Sequence, residues 1–572
     1  MVNVKIDGRD VSVAEGTTIM DAAEVLNIKI PRLCYHPDLK AVSACRVCVV
    51  EIKGDRLLRT ACSYKVIEGM EVQTNTPFVR DSRKMAMELL LSRHPQKCVE
   101  CFRNGSCELQ QMSEQLGILE NHFEYHQRLG SLDTSSPSIV RDPSKCILCR
   151  RCIQVCAEVQ GVSAIGVEGR GYDSWVDTPF ARGLGEATCV ACGQCIDRCP
   201  VAALYEKSHE EKVWEALGDP KKHVVVQTAP AIRAAIGEMF GLPAGTLLTG
   251  QMVSALRRMG FDKVMDTDFT ADLTIMEEGT ELIKRITTGG VLPMITSCSP
   301  GWINFIERFY PTLLPHLSTC KSPQQMFGAL VKTYYAEKSG IDPADIFSVS
   351  LMPCTAKKYE AERPEMCASG FQDVDAVLTT REIGRMIKQS GIQFTQLPEE
   401  EHDDPMGIST GAAVIFGATG GVMEAALRTA YEILTGKEIP SLDITAVRGM
   451  EGVREAKIMI GDLEVKAAVA HGLANARKLL DLISEGKADY HFIEIMACPG
   501  GCIGGGGQPV PTTLEIRNKR AEAIYKADKG LALRKSHENP AIKRIYEEFL
   551  GEPNGKKSHH LLHTKYTARS IY

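Results

Sequence analysis

The sequence predicts a multidomain α/β protein in which small cysteine-rich modules precede one larger α/β domain. Three observations carry this. At 572 residues the chain exceeds what a single hydrophobic core usually organises. Fifteen of its 21 cysteines lie before Lys207, so two halves of different chemistry are joined. From His223 onward the texture changes: short apolar strands alternate with amphipathic helical patterns, the signature of mainly parallel sheets.

Composition narrows the functional classes. A formal charge of -6 and a pI near 6.2 argue against a nucleic-acid binder, which needs a basic footprint to displace phosphate counterions. A 44% hydrophobic content suffices to fill several cores. No apolar run reaches the roughly 18 residues of a spanning helix, and Met1 opens into polar-apolar alternation rather than a signal peptide. A soluble, cytoplasmic chain without membrane contact is therefore expected. The two- and three-residue gaps between many cysteines are chelate spacing, which favours metal binding over a disulfide framework.

In chain order, Val2 to Val13 alternate like a hairpin, Thr17 to Leu26 read as a short helix, and Cys34 opens a cysteine-rich loop. Cys34, Cys45, Cys48 and Cys62, with gaps of ten, two and thirteen residues, offer four soft thiolates, two of them on one tight turn. That arrangement suits a 2Fe-2S cluster, with a structural zinc as the alternative. Its plan resembles plant-type ferredoxins and, more closely, the amino-terminal domain shared by respiratory complex I and hydrogenases.

Helical pattern returns over Arg80 to Ser92 and around Cys107 to Leu119. Between them His94, Cys98, Cys101 and Cys107 form H-x3-C-x2-C-x5-C, where three cysteines lack a fourth partner and the histidine completes a 4Fe-4S ligand set. Neutral imidazole in place of thiolate should raise that cluster's potential. His126 to Ser138 read as a polar linker.

Two near-repeats follow: Cys146, Cys149, Cys152, Cys156, and Cys189, Cys192, Cys195, Cys199 with Pro200. In two-cluster ferredoxins the fourth cysteine of each run serves the other cluster. Cys199 is therefore expected to join Cys146, Cys149 and Cys152, and Cys156 to join Cys189, Cys192 and Cys195. Ala157 replaces the first run's proline, which is no ligand. The wire implied is one 2Fe-2S and three 4Fe-4S clusters.

In the second half, strands are expected at His223 to Gln227, Val291 to Thr296, Phe347 to Met352, Ala412 to Phe416 and His491 to Met496. Three of them run into Cys298, Cys354 and Cys498, the position beyond strand carboxyl ends where α/β sheets build their sites. The segments Thr296-Ser297-Cys298-Ser299-Pro300-Gly301-Trp302, Met352-Pro353-Cys354-Thr355-Ala356-Lys357-Lys358-Tyr359-Glu360 and Met496-Ala497-Cys498-Pro499-Gly500-Gly501-Cys502, continuing to Pro509, resemble the three signature segments of FeFe-hydrogenases, and the resemblance extends over essentially the whole chain. The glycine-rich stretch lacks the G-K-[ST] ending of a phosphate-binding loop.

The resemblance implies ferredoxin-like iron-sulfur modules followed by an α/β H-cluster domain, in which a 4Fe-4S cubane is joined through a bridging cysteine to a diiron unit carrying CO, cyanide and a dithiolate. Reversible interconversion of H2 with protons and electrons is the activity it implies. By position Cys354, Cys498 and Cys502 match cubane ligands, with Cys502 the bridge. Many relatives have two adjacent cysteines in the first segment, whereas this chain has Cys298 then Ser299. Alignment gives Cys298 the proton-relay place and Ser299 the ligand place; the softness of sulfur favours the opposite assignment.

Glu278, Glu281 and Arg285 share one helical face and, with Ser318, match the family's proton path. Lys357 matches the lysine beside a diiron cyanide, and Met352, Met496, Phe416, Pro323 and Gln324 match the pocket lining. Cys320 and Cys367, without partners at ligand spacing, read as buried or free thiols.

The domain boundaries expected are 1–78 for the 2Fe-2S ferredoxin-like domain, 79–125 for the 4Fe-4S domain with one histidine and three cysteine ligands, 138–208 for the two-cluster domain, and 222–572 for the H-cluster domain with a helical tail. A hydrogen sensor or iron-sulfur assembly relative, or an electron-transfer subunit of a larger dehydrogenase, are the rival readings. No nicotinamide-binding fingerprint is evident. The resemblance is greatest to multisubunit enzymes, so flavin-containing NAD(P)-linked subunits, ferredoxin or a formate dehydrogenase are the electron partners to expect.

Overall fold

A computed structural model describes residues 1–127, 130–461 and 463–571. The amino-terminal module forms where the alternation predicts it. Strands β1 (Val2–Ile6) and β2 (Arg9–Val13) pair as an antiparallel hairpin, and the helix Ile19–Val25 starts where the Thr18 hydroxyl accepts the Asp21 N–H. With β3 (Val49–Ile52), β4 (Arg59–Thr60) and β5 (Glu71–Gln73) the hairpin completes a five-stranded sheet in the order β2-β1-β5-β3-β4. The helices expected next occupy Pro77–Leu91 and Glu108–Gln115.

The linker expected before Ser138 is tied down. Asp133 and Arg141 exchange backbone hydrogen bonds, and the Leu184 N–H donates to the Asp133 carboxylate at 2.9 Å. Arg128 and Leu129 of that stretch lie outside the described residues. The two-cluster module is held by two small antiparallel sheets, β6 (Ile139–Arg141) with β9 (Leu204–Glu206) and β7 (Gly166–Glu168) with β8 (Trp175–Asp177).

The larger half contains two four-stranded sheets. The first is all parallel: β10 (His223–Thr228), β11 (Lys263–Asp266), β13 (Ile346–Met352) and β14 (Ala376–Thr379), in the order β11-β10-β13-β14. The second joins β12 (Met294–Ile295), β15 (Val453–Ile460), β16 (Leu463–His471) and β17 (Phe492–Met496), in the order β12-β17-β16-β15. Within it β15 and β16 are antiparallel and the other pairs parallel. Both faces of β10 and β13 are buried: Val224, Val226, Val349 and Leu351 fill one, while Val225, Gln227, Ser348 and Ser350 lie on the other.

One expected strand is corrected. Ala412 to Phe416 is helical, forming Gly411–Val414 and the turn Ile415–Gly417. All five of those side chains are buried, so the apolar run has no periodicity to separate helix from strand. Anchoring decides: the Thr410 N–H and hydroxyl both donate to Asp272, at 3.1 and 2.7 Å, and start a helical turn there. The expected strand at Val291 to Thr296 shrinks to two residues, and β11, β14, β15 and β16 are strands that the sequence pattern does not single out. The carboxyl tail, with helices Leu514–Gly530 and Lys556–Leu562, packs back over the domain. No described helix is long and apolar enough to cross a membrane.

Candidate active site and metal centres

Each cysteine set converges. Cys34, Cys45, Cys48 and Cys62 are all buried, with sulfur-sulfur contacts joining Cys34 to Cys45 and Cys62, and Cys48 to Cys62. Left-handed backbone at Ser43 and Arg46 lets the loop fold around them.

His94, Cys98, Cys101 and Cys107 line one cavity of about 320 Å³. The His94 Nδ1 faces the Lys145 carbonyl at 3.1 Å. A proton on Nδ1 makes Nε2 the lone-pair nitrogen, the arrangement by which a ligating histidine is oriented. Arg103 donates to the carbonyls of Ile196 and Cys199, which ties this pocket to the next.

Cys146, Cys149, Cys152 and Cys199 line a second cavity of about 490 Å³, and Cys156, Cys189, Cys192 and Cys195 a third of about 380 Å³. The crossed pairing expected from the two runs is therefore the one that the fold brings together. Leu148, Arg150 and Ala191 have positive φ, and the Leu148, Ala191 and Ala164 N–H groups point at Cys146, Cys189 and Cys156 sulfurs at 3.3 to 3.4 Å. Such donors stabilise thiolate and cluster charge.

The central cavity, about 820 Å³, is lined by Cys298, Ser299, Cys354, Cys498, Cys502 and Lys357, and also by Met352, Met496, Phe416, Pro323 and Gln324. Three strands deliver the cysteines: β12 leads to Cys298, β13 to Cys354 and β17 to Cys498. Burial raises the Cys354, Cys498 and Cys502 thiols; Cys354 and Cys502 raise Cys498 further, and Cys354 raises Cys502. Burial therefore favours the protonated thiols, and thiolates become stable there only when metal charge displaces those protons. Soft donors, an apolar wall and one cation fit a cubane with an anionic diiron unit.

Two features tie this cavity to its neighbours. Cys192 lines both it and the Cys156 pocket. The seam there is glycine-tight: Gly193, at φ +70°, would put a Cβ 2.4 Å from the Thr355 hydroxyl, and one on Gly506 would lie 2.4 Å from the Cys192 carbonyl.

On the other side stands the proton chain. The helix Thr267–Thr288 carries Glu278, Glu281 and Arg285. Arg285 donates to Glu281 at 2.6 Å, the Ser318 hydroxyl donates to Glu281 at 3.2 Å, and Ser318 also bonds Glu278. Burial pushes the Glu278 carboxyl up to about 8. The Cys298 thiol is raised by burial and then by the charge of Glu278, and lowered by Lys357.

The Ser299 oxygen instead accepts the Ala497 N–H at 3.3 Å, beside Cys498. Lys357 Nζ donates to the Cys298 carbonyl at 3.1 Å and to Glu360 at 2.9 Å. Cys320 is buried and Cys367 exposed.

Several residues here carry no signal in the sequence. Thr319 donates twice to Glu281, and His563, from the carboxyl tail, lies 2.8 Å from the Thr319 hydroxyl. Glu494, whose carboxyl burial raises to about 7, accepts the Gly420 and Met423 N–H groups and adds charge near Cys298 and Cys502. No local pattern marks these residues, since their partners lie tens to hundreds of positions away.

Comparison with known proteins gives a consistent picture. Residues 222–506 match the family described as iron only hydrogenase large subunit, C-terminal domain, and 514–569 the iron hydrogenase small subunit. Residues 1–77 match a 2Fe-2S iron-sulfur cluster binding domain. Residues 83–122 match the NADH-ubiquinone oxidoreductase-G iron-sulfur binding region, and 136–205 the ferredoxin-like domain of NADH-quinone oxidoreductase subunit 3.

The chain is 50% identical to the NADP-reducing hydrogenase subunit HndD of Solidesulfovibrio fructosivorans, covering 100% of this chain and 99% of that one. It is 42% identical to iron hydrogenase 1 of Clostridium pasteurianum, covering 99% and 100%. A solved FeFe-hydrogenase, HydA1 from Chlamydomonas reinhardtii, aligns with a TM-score of 0.58 and 46% identity over 64% of this chain and all of the other.

Proposed function

The chain belongs to the FeFe-hydrogenases, enzymes of hydrogen oxidation and formation, and from that premise we propose how its own residues divide the work. The observation that carries the proposal is a continuity: one cavity holds Cys298, Ser299, Cys354, Cys498, Cys502 and Lys357, borders Cys192 on one side and meets the Glu278 chain on the other. When bound, the H-cluster supplies the iron pair at which hydrogen is made or split and an amine base beside it.

Cys354, Cys498 and Cys502 would hold the cubane, and Cys502 would also serve the iron pair. Ser299 takes the fourth corner, a role supported by its contact beside Cys498, and Cys298 is the last protein proton carrier, supported by its place between Glu278 and Lys357. Glu278, neutral below about pH 8, holds a proton for Cys298 and refills through Ser318 from Glu281. Arg285 keeps Glu281 in position; a guanidinium does not give up its own proton. Lys357, held by Glu360, presents an ammonium to the anionic ligands of the iron pair. Met352, Met496, Phe416 and Pro323 keep water out, and Gln324 donates to Glu360 at 3.0 Å, steadying that pair.

The four converging ligand sets would hold one 2Fe-2S and three accessory 4Fe-4S clusters, which would supply an electron route to the central cavity past Cys192 and Gly193. The four domains are bounded near 1–78, 79–125, 138–208 and 222–572. Their electron partner is a flavin-containing, NAD(P)-linked subunit, with ferredoxin as a second route. The relative that reduces NADP, at 50% identity, supports this, as do the complex I-like modules. The enzyme works in the cytoplasm.

Hydrogen-dependent viologen reduction by the anaerobic protein, coexpressed with the maturation machinery that installs the diiron unit, tests the reading. Turnover is expected with Ser299 in place. An intact set of clusters and a confirmed diiron unit without turnover would remove the proposed catalytic assignment.

A further inference from the structure

Beside the proton chain lies a group of side chains that the hydrogen chemistry does not use. Cys320 and His563 face each other as an isolated antiparallel backbone bridge. Bonds from Lys321 N to Leu562 O and from Thr564 N to Thr319 O, both 2.8 Å, lock the two segments in register. That pairing turns both side chains toward Glu281. The Cys320 sulfur is 4.0 Å from Glu281 Oε2 and 4.0 Å from His563 Nδ1, and the three ligand atoms lie within 4.8 Å of one another. The Thr319 hydroxyl borders the same space, 2.8 Å from Nδ1 and 3.1 Å from Oε2.

The opposite ring nitrogen is also fixed. His563 Nε2 lies 3.0 Å from Glu277, whose carboxylate accepts the Tyr546 hydroxyl and the Asn554 N–H. A carboxylate behind an imidazole selects the tautomer whose other nitrogen ligates metal and raises its basicity.

We propose that Glu281, Cys320 and His563 form a binding site for one zinc-class divalent cation, with Glu277 orienting the imidazole. A thiolate, an imidazole and a carboxylate are the donor mixture that zinc accepts and that magnesium or calcium does not. A tetrahedral zinc with bonds of about 2.0 to 2.3 Å holds such atoms about 3.3 to 3.6 Å apart, so the Cys320 sulfur has only a few tenths of an ångström to close. Thr319 or a water supplies the fourth ligand.

Charge also balances. The cation displaces the Cys320 proton to solvent; the thiolate and the Glu281 carboxylate offset its two charges, and the Glu277 carboxylate behind the imidazole offsets Arg285, which stays bonded to Glu281. An occupied site takes Glu281 Oε2 away from Ser318. This consequence rests on the reading of Glu281 as a proton carrier: the filled site interrupts the route and slows turnover.

The test is zinc titration of the anaerobic holoenzyme, read by zinc K-edge X-ray absorption and by hydrogen evolution, with iron content followed throughout. One zinc with a single sulfur and two or three nitrogen or oxygen neighbours is expected, without iron loss, and with at least a tenfold fall in turnover. Cys320→Ala and Cys320→Ser, which leave the proton chain intact, should keep basal turnover and weaken zinc binding at least a hundredfold; His563→Gln should weaken it as well.

Equal affinity in the wild type and these variants, or a sulfur-rich shell accompanied by iron release, would overturn the site. Zinc held in the expected shell with undiminished turnover would uphold the site and overturn the Glu281 proton route.

Discussion

Glu278, which we propose as a proton carrier, is a buried carboxyl. Its ordinary value near 4.5 is pushed up to about 8 by burial, so between those limits the folded enzyme holds a proton that the unfolded chain has lost. Two consequences follow from that sign. Hydrogen evolution should fall as pH rises through about 8, and the folded state should lose stability over the window from about 4.5 to 8. Glu278→Gln stays neutral but cannot pass a proton. It should cut turnover by about a hundredfold or more while leaving the accessory-cluster electron paramagnetic resonance signals unchanged, and it should flatten the pH dependence of the melting temperature across that window.

At the same scale, His94 is legible in the sequence because three cysteines need a fourth ligand, and its Nδ1 contact with Lys145 explains how the ring is aimed. His94→Cys adds negative charge to that cluster, so redox titration should find its potential lower by on the order of 100 mV.

Elements decide which residues meet. Short strands ending at Cys298, Cys354 and Cys498 can be read in the sequence because apolar runs there stop at cysteine. Ala412 to Phe416 misleads because a segment buried on every side shows neither a period of two nor one of 3.6.

The seam between Cys192 and the central cavity depends on loop packing instead. Gly193 adopts φ +70° with Thr355 pressed against it. A side chain there is strained by about 1 kcal/mol or more in backbone alone and must also displace Thr355. Gly193→Ala should therefore lower iron occupancy of the Cys192 cluster and slow electron delivery, both measurable by iron analysis and freeze-quench resonance spectra, while the 2Fe-2S signal is retained.

Across the whole molecule, long-range ion pairs join the modules. Asp38 of the 2Fe-2S module accepts Arg198 at 3.0 Å and Arg517 at 2.8 Å, so one carboxylate holds the wire's second half and the carboxyl tail together. Arg198 and Arg517 are buried, and removing their partner leaves cations poorly solvated. Asp38→Asn should cost about 3 kcal/mol, seen as an early thermal transition and as faster proteolysis between modules. Viologen-linked turnover should fall less than electron transfer from a nucleotide-linked partner, because Asp38 itself does not line the catalytic cavity.

The sequence by itself marked the candidate ligands, because metal chemistry is written in residue type and short spacing: three cysteine sets and one histidine-cysteine set, a crossed pairing expected between two runs, and three signature segments. The family resemblance marked Glu278, Glu281, Arg285 and Ser318 as the expected proton path; the helix-face spacing of the first three alone does not separate them from solvated charges. Only the tertiary structure decided what surrounds them. It set the Ser299 oxygen against the Ala497 N–H and the Cys298 carbonyl against Lys357, an arrangement that rests on the turn after β12. It also brought His563 across 282 positions to Glu281, through backbone pairing with Cys320 that no local pattern encodes. Spacing fixes which atoms can bind a metal; packing of distant segments fixes which of them face it.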